Sequence, residues 1–154
     1  MISVGVFENE DFSYSKELLR LTDCALITNP QSARVDIALV SGNLYKKPIF
    51  SEASLLILPD SLDRDIVPAF CAKTIISYGL CRKNTVTASS LVASRLAISL
   101  QRKFQDIRGN VIEEQEFIMP LNTGERAEDM LGLVSTLLAV GNSPEDISEM
   151  TISF

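Results

Sequence analysis

Histidine and tryptophan are absent from these 154 residues, and cysteine occurs only three times. Without an imidazole, Ser-His-Asp and Cys-His catalysis are excluded. Cys24, Cys71 and Cys81 form an odd set at spacings that match no zinc pattern, so they read as free thiols rather than metal ligands. Basic charge is scarce as well: 14 Lys and Arg against 20 Asp and Glu leave a formal charge of -6 and a pI near 4.7. Such a balance gives no long-range attraction to nucleic acid or to anionic lipid. No apolar run approaches the roughly 20 residues of a membrane helix, and the N-terminus has no basic region followed by an apolar core. The chain reads as cytoplasmic, with neither nucleic acid nor membrane as a partner.

Glycine numbers seven, and none precedes a lysine, so there is no loop of the kind that wraps backbone amides round a triphosphate. No pair of glycines has the GxGxxG spacing of a dinucleotide fold. Ser13-Tyr14-Ser15-Lys16 matches SxxK, but the SDN and KTG elements that complete such a site are missing. Asp60, Asp63 and Asp65 lack the glycine and the bidentate glutamate of a calcium loop and read as a solvated loop. Glu113, Glu114 and Glu116 divide between two strand faces and read as a solvated edge. No metal and no cofactor are expected.

What is present is a 46% hydrophobic chain without repeats or linkers, sized for one domain over 1-154. Short apolar runs alternate with helix and turn signals, which predicts an α/β fold with a mainly parallel sheet flanked by helices. Strands are expected at Ile2 to Phe7, Cys24 to Thr28, Ser54 to Leu58 and Lys73 to Tyr78. Helices are expected at Ser13 to Leu21 and from about Arg64 to Ala72. From Leu96 the period becomes two, and Arg108-Gly109-Asn110 supplies a turn into Val111 to Met119, an appended antiparallel hairpin. Met130 to Val140 is apolar on almost every side and should be a buried helix ended by Gly141. Ser143-Pro144-Glu145-Asp146 then starts a last short helix with a cap and a proline at its first position.

The stretch VFENEDFSYSKELLRLTDCALITNPQSARVD resembles the part of Mur ligase central domains in which a strand ends in glutamate, a helix follows, and the next strand runs into TN, a short loop and DHLD. On that resemblance Glu8 falls on the family glutamate, Thr28 and Asn29 on TN, and Asp36 on the last aspartate of DHLD. SLLILPDSLDRD is similar to the strand and NADD loop, which aligns Asp60, and TIISYGL to the strand ending in an aromatic residue and glycine. VTASS, the hairpin and the helix leading into GNSPEDI follow in the family order, so the likeness spans nearly the whole chain.

The family activates a carboxylate with ATP and magnesium, and this sequence departs from what that demands. The P-loop and the family's C-terminal domain have no counterpart here, Ala33 stands for the first aspartate of DHLD, and Arg34 for its metal-binding histidine. A guanidinium about 4 Å from a divalent ion is repelled by roughly 8 kcal/mol at an effective dielectric near 20. Lys46 and Lys47 are out of register with the family's modified lysine, and Pro59 replaces the asparagine of NADD. Glu8, Arg34 and Asp36 therefore read as the remnant of a metal site, with Arg34 paired to the two carboxylates.

The resemblance implies a non-catalytic binding or regulatory module, linked through the family to cell-wall metabolism, and not an ATP-dependent ligase. Two alternatives stay open. One is a subunit of a split ligase that takes its P-loop from another chain and adds Glu8 and Asp36 to a shared site. The other is a small-ligand sensor using the old substrate cleft. Lacking the family's P-loop strand, the N-terminal strand region should need a cover, either a homodimer partner or another protein.

Overall fold

The computed structural model describes residues 1-9, 13-44, 46-122, 124-152 and 154, leaving aside the side chains at positions 33 and 50. Eight strands form one sheet in the order β10-β7-β6-β5-β4-β3-β1-β2. The parallel part consists of β1 (Ser3–Phe7), β2 (Ala25–Thr28), β3 (Ser32–Val40), β4 (Phe50–Pro59) and β5 (Phe70–Tyr78), and β6 (Val86–Val92) joins it through Tyr78 and Val86. β7 (Arg95–Leu100) then pairs antiparallel with β6 and with β10 (Gln115–Pro120). The α/β class and the mainly parallel sheet are as the sequence predicts.

The antiparallel part is larger than the predicted hairpin. The alternation from Leu96 stops at Leu100, and the turn at Arg108-Gly109-Asn110 belongs to a separate ladder of β8 (Phe104–Gln105) and β9 (Val111–Ile112). Asp106 explains why the chain turns there, because its Oδ1 accepts the N–H groups of Arg108 and Asn110 at 2.9 Å each. Gly109 takes the positive φ of 87° that the turn needs.

Among the described residues, three α-helices pack on one face. α1 (Tyr14–Leu21), α2 (Ala127–Val140) and α3 (Pro144–Ser148) share a single apolar cluster with Val4, Val6, Ile37, Leu39, Ile57 and Ile76. α2 is buried nearly throughout, as its uniform apolarity predicts, and Gly141 ends it at φ 125°. The Ser143 hydroxyl accepts the Asp146 N–H at 3.1 Å and starts α3. The helix expected from Arg64 to Ala72 is instead a single 3-10 turn at Val67–Ala69, because Phe70 opens a strand and Pro68 limits what precedes it.

Over β1 the opposite face is covered by the sheet itself. β3 and β4 pair in two runs, Ser32 to Val35 with Phe50 to Ala53 and Ile37 to Leu39 with Leu55 to Ile57, while β5 follows the same division on either side of Lys73. Val35 and Ala53 belong to a second apolar cluster, whereas Ile37 and Leu55 belong to the helix-side cluster. A straight strand would keep residues two apart on the same side. The three strands therefore bend together at Asp36, Ser54 and Lys73, and their N-terminal halves double back over β1. A Val35 methyl stands 3.3 Å from where a Gly5 Cβ would be, and the rings of Phe7 and Phe70 meet edge to face at 4.8 Å. Leu44, Leu62 and Ile66 complete this second layer.

Candidate functional site

The order β2-β1-β3-β4-β5 reverses direction between β1 and β3, and in open parallel sheets ligands bind beyond the carboxyl ends of the strands at that reversal. Glu8 follows β1 there. It is 6% exposed, and its Oε2 accepts the Tyr14 N–H at 2.5 Å while Oε1 accepts the Ser15 N–H at 3.4 Å. The Ser13 hydroxyl accepts the Lys16 N–H at 3.0 Å. The first turn of α1 thus has its free amides taken by two side chains of the same chain. Burial raises the Glu8 carboxyl above its ordinary pKa, and the bonds from Ser15 and Tyr14 oppose that rise.

Thr28 and Asn29 lie beside this glutamate. Asn29 adopts a left-handed φ of 47°, and its Oδ1 accepts the Glu8 N–H at 2.8 Å. The Thr28 and Ser15 hydroxyls are 3.2 Å apart. A cleft of about 140 Å³ opens here between Phe7, Glu8, Asn9, Asn29, Gln31 and Lys46.

Asp36 and Arg34 are elsewhere. Asp36 sits at the bend of β3, where its Oδ2 accepts the N–H of Ser3 at 2.9 Å and its own N–H donates to Ser3 Oγ at 3.0 Å. Ser3 begins β1 and Glu8 follows its end, so five residues, about 16 Å of strand, separate the two carboxylates. Arg34 pairs with Glu52 across β3 and β4 at 2.9 Å, on the outer side of the folded-back layer, 82% exposed. The predicted remnant of Glu8, Arg34 and Asp36 is not assembled. The reason is the bend: SARVD continues as a strand here, so Arg34 and Asp36 are carried away from the loop that the motif match assigned them.

Asp60 does stand at the carboxyl edge. Its Oδ2 accepts Asn84 Nδ2 at 2.7 Å, its N–H donates to Tyr78 O at 3.0 Å, and its carboxylate packs where a Cβ on Gly79 would clash. Beside it Ser61 donates to Glu128 at 2.5 Å. Asp129 at the start of α2 has its pKa raised by burial, against the opposing pull of Arg126. No group of three or more Cys, Asp or Glu among the described residues is placed to hold a metal ion. Cys71 and Cys81 are exposed and Cys24 is half-buried, all three as free thiols.

Two tyrosines to which no sequence motif gives a role anchor this edge. Tyr78 donates from its hydroxyl to Val40 O at 2.5 Å, and Tyr14 packs with it under Gly132 of α2. Both are fully buried, and burial raises both phenol pKa values. The signal was available in Gly132, a lone glycine in an apolar helix, which marks a close approach.

No protein-family model and no curated protein matches the chain. Among solved structures it is similar to the UDP-N-acetylmuramoylalanyl-D-glutamyl-2,6-diaminopimelate--D-alanyl-D-alanyl ligase from Acinetobacter baumannii, with 12% identity and a TM-score of 0.45. The match covers 97% of this chain and 39% of that one. A likeness of that degree says nothing about activity.

Proposed function

We propose that this chain is a non-catalytic binding module whose ligand surface is the carboxyl edge of the parallel sheet at the β1–β3 reversal. The observation that carries the reading is Glu8, which occupies the N-terminus of α1 and so takes the place where a fold of this kind usually receives a phosphate. A second anion there would meet the glutamate's own charge. Other polar groups of the edge are bonded to one another, as Asp60 is to Asn84 and Ser61 to Glu128. The cleft of about 140 Å³ is smaller than the roughly 300 Å³ or more of a drug-sized pocket. Its amide side chains suit a small, uncharged polar molecule, which would make the module a sensor.

A split ligase fits less well, because Glu8 and Asp36 lie at opposite ends of β1 and cannot meet at one shared site. The reading includes a partner for β2. This four-residue strand ends the sheet, carries no charge and leaves Ile27 42% exposed. A second copy pairing there by two-fold symmetry would cover it.

Amide chemical-shift mapping with a library of small neutral polar compounds tests the ligand surface. Shifts grouped at Asn9, Asn29 and Gln31, with no phosphate released from ATP, are expected. ATP turnover by the purified chain would overturn the reading.

A further inference from the structure

The antiparallel end of the sheet holds a second cleft, of about 290 Å³, on the face turned away from the helices. Val86, Ile98 and Leu100 enter the helix-side core. Thr87 and Ser99, which pair across β6 and β7, therefore face the other way, together with Glu116, which pairs with Ser99 from β10. Thr87, Gln101, Arg82 and Glu116 all line the cleft.

Thr87 is 1% exposed, and its hydroxyl has no hydrogen-bond partner among the described residues. Ser99 beside it is bonded by Gln101 Nε2. Buried hydroxyls in folded proteins are nearly always bonded, so the Thr87 hydroxyl has a donor and an acceptor to offer at this cleft. Arg82 and Glu116 are exposed, and neither makes an ion pair with the other or with another described residue.

Opposite charges that line one cleft without neutralising each other discriminate by charge pattern. A simple anion drawn to the guanidinium meets the Glu116 carboxylate, and a simple cation meets Arg82. A molecule carrying both charges satisfies both. At roughly 30 Å³ per water, the cleft has room for about ten non-hydrogen atoms. We propose that it binds a small zwitterion, with the carboxylate on Arg82, the ammonium on Glu116 and a polar group bonded to Thr87. This site is separate from the Glu8 cleft, which lies near the other end of the strand order.

Thermal shift and saturation-transfer NMR with individual L-amino acids at millimolar concentration test the proposal, with acetate and methylammonium as single-charge controls. At least one amino acid should bind, and neither control should. Arg82→Gln and Glu116→Gln remove exposed charges and should leave the fold intact while each weakens that binding by about tenfold or more. Thr87→Val should weaken it as well, and amide shifts that stay outside the cleft in this variant would show that it is folded. Failure of every amino acid to bind, or binding that is indifferent to both charge removals, would overturn the proposal. Loss of the Glu8-cleft ligand would leave it untouched.

Discussion

The Glu8 carboxylate holds the first turn of the helix that follows it, accepting the Tyr14 N–H at 2.5 Å while Asn29 bonds the Glu8 N–H from the next strand end at 2.8 Å. The side chains of Glu8 and Asn29 thus tie β1, α1 and β2 together at the carboxyl edge of the sheet.

This tie should be pH-dependent in a defined direction. Burial raises the Glu8 pKa above its ordinary value of 4.5. The folded state therefore binds the proton more tightly than the unfolded chain does. The stability linked to that proton is complete below the unfolded pKa and is lost as pH rises through the folded one. Glu8→Gln removes the titration, so the stability of wild type minus that of the variant should fall as pH is raised from below 4.5. Denaturant melts across that range check the sign. Asp129, raised in the same sense, is common to both proteins and cancels.

Arg34→Ala should cost less than about 1 kcal/mol, because Arg34 pairs with Glu52 on the solvent side of the folded-back strands. An effect of 3 kcal/mol or more, the order expected of a broken buried pair, would contradict the placement. Urea denaturation resolves the difference.

Gly132→Ala should destabilise by about 1–3 kcal/mol or more, since its methyl would overlap the Tyr14 hydroxyl and stand 2.9 Å from Tyr78 Cζ. Neither ring has room to retreat, as both are fully buried. The melting temperature reports the loss, and an unchanged value would mean that α2 can rise off the sheet at no cost.

Self-association through β2 is expected at micromolar concentration. Ile27→Lys places a charge on the exposed edge and should return the chain to a monomer in light scattering. A wild-type monomer would refute the pairing.

The parallel strands, the buried α2 and the capped α3 were legible in the sequence because each carries its own local signal: an apolar run, a uniform apolar stretch, or a Ser-Pro-Glu-Asp start. β3 was not, because Ser32, Arg34 and Asp36 interrupt it with polar residues that look like a loop. They are polar because the strand bends, with Arg34 facing solvent outside the fold and Asp36 filling the ladder position at Ser3. The neighbourhood of Glu8, Thr28 and Asn29 follows from strand ends and was readable. The placement of Arg34 and Asp36 depends on the bend, which no local pattern encodes. The cleft at Thr87 brings Arg82, Thr87 and Glu116 together through the pairing of β6, β7 and β10, so only the assembled sheet shows it.

The claim that Glu8 occupies the phosphate position of this fold is tested most directly by calorimetry of the chain with Mg-ATP. No saturable heat is expected. Magnesium-dependent binding in the low micromolar range would contradict the account, since it would require the α1 amides that Glu8 now holds.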